Sequence, residues 1–285
     1  MAGTGRKYRF KGHESFVLRE GWLNKGMAAV SRDSKIFSKN SGADELGVGV
    51  NMAKAIRYWM KCADLIHEEK IGITLNEKGA LIYQKDTYLE DIFSLWIIHC
   101  NIAMNQKEAT VWNLFFNQFD ADEFDSDYLK QEMLRLVANL PGIEKYAERS
   151  VLDDCDALLR MYSRQKEENK TPEEKNVSPF YNLGLLRNSN GIYFKEQPLL
   201  TKMPEEIIWY IMGHKQLDAF SMDELLEDEN SPGKLLNLKR NGLMELLEKL
   251  SAKNIVEINR TAGLDMVYMK KSEEQKKIME IYYEK

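Results

Sequence analysis

The chain has 285 residues, 44% of them hydrophobic and 30% charged, which are the proportions of a globular protein and exclude a disordered one. The formal net charge of −5 excludes a protein that is basic throughout, although Lys and Arg outnumber Asp and Glu over residues 6–61 and are outnumbered over residues 86–168. No apolar run reaches about 18 residues and none follows the basic start, so we expect no membrane span and no signal peptide. The three cysteines lack CxxC spacing, which favours a reducing cytoplasm over a disulfide framework.

The N-terminal region is predicted to begin with a helix over residues 16–30, where apolar side chains recur at helical spacing. A second short helix is expected at residues 36–37, and a third ends near Leu46. Gly47 and Gly49 then form a tight turn, because a residue without a Cβ accepts unusual backbone angles.

A longer helix follows this glycine turn, with Asn51 as its N-cap and residues 65–66 as its end. Residues 71–75 and 80–83 are predicted to be short strands joined by a turn. Helix, turn, helix and β-hairpin in this order form a winged helix-turn-helix, which we assign to residues 1–85.

The middle of the chain, residues 86–164, is predicted to form about four helices packed as a bundle, since apolar residues recur at helical spacing in successive stretches. Residues 165–178 are polar and proline-flanked, and they are the predicted linker. The apolar run at residues 192–194 is expected to be a strand after a turn.

The C-terminal part, residues 179–285, repeats the N-terminal pattern more weakly. Ser221 and the residues after it form an expected capping box, residues 241–251 an amphipathic helix, and residues 255–258 and 266–269 a hairpin. The expected fold class is therefore mainly α, with an N-terminal winged helix-turn-helix, a central helical bundle and a C-terminal winged-helix-like domain.

The helix after the glycine turn carries the residues with the clearest chemistry. Its apolar face holds Met52, Ile56 and Trp59. Its other face is predicted to expose Lys54, Arg57, Tyr58 and Lys61. Such a stripe suits a DNA major groove, because Lys and Arg pair with phosphates or guanine edges and a Tyr hydroxyl donates to phosphate. The alternatives are an ordinary solvated basic face, or a winged helix that docks protein.

Other residues are candidates for contacts beside this stripe. Asn51 at the helix start, and Lys70 and Lys78 on the predicted wing, complete the DNA-binding set. His13 and Arg19 are candidate phosphate contacts, and a His-Glu pair is also a candidate base. The alternative for His13 is an ordinary helix start.

No catalytic or metal-binding motif is apparent. The glycine turn lacks the Gly-Lys-Ser/Thr of a P-loop and the third glycine of a dinucleotide fingerprint. The close Cys–His pairs do not have zinc spacing, and His99 lies on an apolar stripe, where a buried and hydrogen-bonded histidine is expected. The acidic cluster at residues 120–127 lacks the glycine of a calcium loop and is expected to cap a helix. We therefore expect no cofactor, no metal and no enzymatic activity.

Several motifs stand out together. They are Gly12-His13-Glu14-Ser15-Phe16, Arg19-Glu20-Gly21-Trp22-Leu23, Leu46-Gly47-Val48-Gly49-Val50-Asn51-Met52, Ile56-Arg57-Tyr58-Trp59, Leu89-Glu90-Asp91, Leu95-Trp96, Ser178-Pro179-Phe180 and Ser231-Pro232-Gly233. Through them nearly the whole chain resembles domain-of-unknown-function family 4007. The resemblance implies a bacterial protein encoded near DNA-phosphorothioation or phage-defence genes, and it implies no catalytic residues. The family pattern has a basic residue where this chain has Val50, which removes one phosphate contact.

The hypothesis that follows is a non-enzymatic DNA-binding subunit of a bacterial DNA-modification (phosphorothioation-type) or phage-defence system. Its expected partners are double-stranded DNA and the sulfotransfer or modification enzymes of the same gene cluster, held by the acidic middle of the chain. The alternative is a protein–protein adaptor for those enzymes that makes no DNA contact. A third hypothesis is a metal-dependent nuclease, which needs carboxylates and a lysine to converge from distant positions.

Overall fold

The N-terminal part of the computed structural model, which describes residues 8–163, 178–261 and 264–284, is helical with one hairpin. Its elements are α1 (Trp22–Arg32), α2 (Ala43–Leu46), α3 (Val50–Cys62), β1 (Ile66–Glu69), β2 (Gly72–Leu75) and α4 (Glu77–Lys85). The middle continues with α5 (Ile92–Met104), α6 (Thr110–Asn117), β3 (Glu123–Asp125), α7 (Ser126–Ala138) and α8 (Glu148–Tyr162).

A short 3-10 helix, Pro179–Leu183, opens the remainder of the chain. After it come β4 (Leu186–Ser189), β5 (Ile192–Lys195), α9 (Glu206–Lys215), β6 (Ala219–Ser221), α10 (Met222–Glu227), α11 (Pro232–Leu236), α12 (Arg240–Ala252), β7 (Val256–Thr261), β8 (Leu264–Met269) and α13 (Gln275–Tyr283). The described residues are therefore mainly α-helical, as predicted, and the strands form small antiparallel sheets.

One order of elements recurs along the described chain. A helix, a short strand, two or three further helices and a hairpin follow one another in α6–β3–α7–α8–β4–β5 and again from α9 to β8. In both copies the first strand pairs with the last, giving the sheet orders β3-β5-β4 and β6-β8-β7. Among the described residues, the segment from α1 to β2 has the same order of helices and hairpin but no first strand. At the place of that strand, the Ile73 amide of β2 donates to the Ser34 carbonyl at 2.7 Å.

The short first strands lead directly into capped helices. In β3 the central Phe124 is buried, and the Asp125 side chain accepts the Tyr128 amide of α7 at 2.8 Å. In β6 the central Phe220 is buried, and Ser221 forms the predicted capping box with Glu224. The expectation that the acidic cluster at residues 120–127 caps a helix is thus also met.

The hairpin of the N-terminal region lies one element earlier than predicted. β1 pairs with β2, whereas residues 80–83, expected to be a strand, belong to α4. The physical reason is local: the Asn76 side chain accepts the Gly79 amide at 2.8 Å and starts a helix there. Leu81 and Ile82 then face the core, so a short apolar run that is compatible with either structure becomes helical.

The four helices predicted for residues 86–164 are present as α5 to α8. They do not form a bundle on their own, because β3 pairs with β5 beyond the predicted linker. The division at residues 165–178 therefore separates two strands of one sheet. All of that linker except Ser178 lies outside the described residues.

α5 is the centre of the core. It is buried on all sides from Phe93 to Ala103 and packs against α6, α9 and α11. Both ring nitrogens of its buried His99 have partners: Nε2 donates to the Leu235 carbonyl at 2.8 Å, and Nδ1 accepts from the Tyr162 hydroxyl at 2.8 Å. The expectation that His99 is buried and hydrogen-bonded is confirmed. No helix among the described residues has both the length and the apolarity to cross a bilayer.

Candidate nucleic-acid interface

α3 begins at the predicted glycine turn. Gly47 adopts a left-handed conformation with φ of 63° at the end of α2, and Gly49 is the N-cap of α3. The helix therefore starts at Val50, and Asn51 lies exposed in its first turn rather than at the cap position that the sequence indicated. The Asn51 side chain accepts a hydrogen bond from Lys54 Nζ at 3.4 Å.

The three predicted cations of α3 reach the surface, but each is paired with a carboxylate. The side chains of Lys54, Arg57 and Lys61 are 46%, 43% and 32% exposed. Lys54 Nζ lies 3.6 Å from Glu14 Oε1, and Arg57 Nε donates to Glu68 Oε1 at 2.7 Å. Lys61 Nζ lies 3.3 Å from Glu68 and 3.0 Å from a second carboxylate, that of Glu108.

Tyr58 does not belong to the exposed face. It is only 2% exposed, and its hydroxyl donates to the Glu108 carbonyl at 2.9 Å. Burial raises the pKa of this phenol well above its ordinary value. The prediction that Tyr58 is presented outward was wrong, because its edge of the helix is covered by the segment before α6, which the helical spacing of α3 cannot reveal.

A polar cavity of about 230 Å³ lies against this face of α3. Its charged lining residues are Arg9, Glu14, Lys54, Arg57, Lys61 and Glu68. Four cations thus meet two carboxylates in a space that can admit a phosphate group. Arg9 was not among the predicted contact residues. Its guanidinium lies 5.1 Å from the centre of the Tyr58 ring and 3.0 Å from Glu108.

The ion pairs among Glu68, Glu108 and Lys61 favour the ionised forms of these three groups. Burial alone would raise the pKa of Glu68 and Glu108, but the cations beside them bring both pKa values below the ordinary range. Burial would lower the pKa of Lys61, and its two carboxylate partners raise it instead. At neutral pH the cavity lining therefore keeps an excess of positive charge, reduced by Glu108 behind it.

The loop before α1 forms one wall of the cavity. Lys11, Glu14 and Ser15 all have positive φ, at 55°, 59° and 108°, which is unfavourable for residues with a Cβ. A Cβ on Gly12 would lie 2.2 Å from the Tyr58 ring, so only glycine fits there. The loop is thus held tightly over α3.

His13 anchors this loop and does not reach solvent. It is completely buried, and Ser15 N donates to its Nδ1 at 3.2 Å, so Nε2 carries the proton and donates to Asp154 Oδ1 at 2.8 Å. The backbone amide of Lys11 donates to the same carboxylate at 2.9 Å. A phosphate contact by His13, as the sequence suggested, is incompatible with this position.

The remaining predicted contact residues lie apart from the cavity. Lys70 is exposed at the turn between β1 and β2. Lys78 belongs to α4 and not to the hairpin; it pairs with Asp64, so it is not a wing residue. Arg19 stacks between two aromatic rings and lines a different cavity.

The helices that occupy the position of α3 in the other two copies are not cationic. α8 uses its polar face to hold the N-terminal loop through Asp153 and Asp154. The exposed face of α12 carries Glu245 and Glu248, with Lys249 paired to the former at 2.9 Å. Of the helices α3, α8 and α12, α3 is therefore the one whose outward face suits a polyanion.

No group of three or more His, Cys, Asp or Glu side chains within residues 8–163, 178–261 and 264–284 is arranged to hold a metal ion. Cys62, Cys100 and Cys155 are free and buried. Burial raises the pKa of each thiol, which leaves them as unreactive core residues.

Comparison with known proteins agrees with the family resemblance. A family model described as "Protein of unknown function (DUF4007)" matches residues 10–283. No curated protein sequence matches the chain. Two solved structures share the fold: "Magnesium ion-bound SspB crystal structure", at a TM-score of 0.86 and 22% identity over 96% of this chain and 88% of that one, and "SspB crystal structure", at 0.85 and 21% over 98% and 90%.

Proposed function

The chain belongs to the DUF4007 family, and we propose that it is a non-enzymatic DNA-binding subunit of a DNA-modification or phage-defence system. The family resemblance implies this genomic setting. The observation that carries this proposal is the convergence of Arg9, Lys54, Arg57 and Lys61 on one open cavity beside α3. Cations grouped on one face of a helix are the electrostatic signature of a nucleic-acid contact. More specifically, we propose that the DNA modification of this system is phosphorothioation.

The recurring order of elements supports a winged-helix interpretation. Helix, strand, two helices and a hairpin, with the first strand beside the last, is the topology of a winged helix, and α3 then takes the place of the recognition helix. The β1–β2 hairpin, with Lys70 exposed at its turn, is the wing. In this arrangement α3 and the wing would face the same stretch of duplex.

We expect the contact to be mainly with the phosphate backbone. Lys54 and Arg57 are exposed enough to reach a phosphate, whereas the buried Tyr58 cannot stack on a base. Glu14 and Glu68 already form ion pairs with the cations of α3, so a DNA phosphate would have to replace these carboxylates. Affinity would then be moderate and sensitive to salt.

Fluorescence anisotropy with a labelled duplex tests the proposal. We expect Lys54→Ala with Arg57→Ala to weaken binding at least tenfold at low salt, since two phosphate contacts are lost. The matched control is Lys249→Ala with Arg260→Ala, which removes the same charge from α12 and β7 and should leave affinity within about twofold. Equal losses in both variants would indicate a non-specific effect of net charge and would refute the assignment to α3.

The second candidate function is an adaptor that docks modification enzymes without touching DNA. It is favoured by the pairing of every cation of the α3 face with a carboxylate, and by Ile71, which is 76% exposed at the hairpin turn. It predicts no salt-dependent DNA affinity and a nuclease-resistant complex with a purified sulfotransfer enzyme of the same gene cluster. The nuclease alternative predicts magnesium-dependent cleavage of the same duplex.

A further inference from the structure

A second cavity is lined by motif residues to which the DNA proposal assigns no role. It has a volume of about 490 Å³ and lies between the start of α1, the loop before α5 and the 3-10 helix Pro179–Leu183. Residues from Arg19-Glu20-Gly21-Trp22-Leu23, Leu89-Glu90-Asp91, Leu95-Trp96 and Ser178-Pro179-Phe180 all line it. Segments about 160 positions apart in sequence thus converge on one concave site of ligand size.

Two of the residues that line the cavity carry polar groups without a hydrogen-bonding or ionic partner among the described residues. The Arg19 guanidinium lies 5.7 Å and 5.3 Å from the ring centres of Phe16 and Trp22, and no carboxylate among the described residues pairs with it. The Oδ1 atom of Asn24 is buried and accepts no hydrogen bond from the protein. An unpaired buried acceptor costs free energy, which a bound donor would recover.

The rest of the lining is apolar below and aromatic at the rim. The floor consists of Leu18, Leu23, Leu95, Ile98 and Phe180. Tyr88 is 70% exposed at the opening, and the next residue, Leu89, is held at a positive φ of 57°. Glu20 and Glu90 add exposed carboxylates. A flat apolar group with polar edges fits these walls.

We propose that this cavity binds the adenine base of a nucleotide. An Asn side chain pairs with adenine in two hydrogen bonds, Oδ1 accepting from the N6 amino group and Nδ2 donating to N7. Asn24 supplies this pair, the apolar floor and Tyr88 cover the faces of the base, and Arg19 pairs with the phosphate. For a free ribonucleotide, the rim carboxylates accept hydrogen bonds from the sugar hydroxyls. The site uses different residues from α3 and does not depend on DNA binding there.

Isothermal titration calorimetry with the intact chain tests this assignment directly. AMP should bind at least tenfold more tightly than IMP, because IMP places a carbonyl acceptor against Asn24 Oδ1. A single-stranded thymidine oligonucleotide with one central deoxyadenosine distinguishes the source of the base, with the all-thymidine strand as the measure of binding at α3. Binding of AMP tighter than the gain from the single adenine assigns the site to a free nucleotide, and a larger gain from the adenine assigns it to DNA. Equal affinity for AMP and IMP, or no binding of AMP together with no gain from the adenine, would overturn the proposal.

Two variants test the contributions of Asn24 and Arg19 separately. Asn24→Leu should abolish the preference for AMP over IMP, whereas Asn182→Ala, at the exposed rim, should retain it. Arg19→Met should weaken AMP about tenfold and leave adenosine nearly unchanged, because only AMP carries the phosphate. Since the AMP and IMP comparison needs no mutation, the proposal stays testable even if a variant does not fold.

Discussion

The His13 side chain donates from Nε2 to Asp154 Oδ1 at 2.8 Å, and both residues are almost completely buried although 141 positions separate them. The pair joins the N-terminal loop to α8. His13 also stacks against Trp59 of α3, at 5.9 Å between ring centres. Through this contact α8 fixes the loop that carries Arg9 and Glu14 to the wall of the α3 cavity.

Asp154→Ala should therefore destabilise the protein by about 3 kcal/mol, because it leaves the buried His13 Nε2–H and the partly buried Lys11 amide without an acceptor. Urea denaturation measures the change. Asp156→Ala on the same helix, which removes a half-exposed partner of Lys130, should cost less than about 1 kcal/mol. Similar values for the two variants would show that the buried pair does not organise the loop.

His99 should make the protein sensitive to acid. Burial lowers the pKa of His99 to about 4, against the opposing effect of the Leu235 carbonyl. Since the folded pKa lies below the unfolded value of about 6.5, the stabilisation is complete above that pH and is lost as pH falls towards 4, by about 3 kcal/mol. Between pH 7 and pH 4, the free energy of unfolding of the parent chain should fall by about 3 kcal/mol more than that of His99→Gln.

The exposed His67 provides the control for this experiment. His67→Gln should keep the acid sensitivity of the parent. If His99→Gln also keeps it in full, acid unfolding has another origin.

Gly79→Ala should destabilise the N-terminal region. A Cβ on Gly79 would lie 2.1 Å from the Leu65 carbonyl oxygen, which is backbone and cannot move aside cheaply. We expect a loss of about 3 kcal/mol in thermal or urea unfolding. Gly49→Ser is the comparison, because a Cβ there meets nothing within 4 Å and Ser is a favourable N-cap. A cost at Gly79 no larger than at Gly49 would mean that α4 does not pack on Leu65 as described.

Glu68→Gln should strengthen DNA binding about fivefold at low salt, since it releases Arg57 and Lys61 from their shared carboxylate. Glu69→Gln removes the same charge from the next residue of β1, which is exposed and pairs with no cation among the described residues. Anisotropy titrations of both variants compare the two changes. An equal gain in both would reflect net charge alone.

Local signals in the sequence predicted the elements that local interactions determine. The capping box at Ser221, the glycine turn before α3 and the hairpin of β7 and β8 depend on neighbouring residues and were predicted correctly. The strand expected at residues 80–83 was wrong, because an apolar run of four residues suits either structure and the cap at Asn76 decided it.

The candidate site was less predictable because the carboxylates that pair with its cations come from other parts of the chain. Glu14, Glu68 and Glu108 reach the cations of α3 from a loop, a strand and the segment before α6. Helical spacing identifies which residues of α3 share a face, but it contains no information on which carboxylates pack beside them. The burial of Tyr58 has the same origin.

The salt dependence of duplex binding is the sharpest test of phosphate contact by α3. Each phosphate contact contributes about 0.9 to the slope of log affinity against log salt. If Lys54 and Arg57 each contact a phosphate, their double alanine variant should have a slope shallower by about 2 than that of the parent chain. A parent chain that binds duplex with no salt dependence, or a variant with an unchanged slope, would show that Lys54 and Arg57 do not contact phosphates.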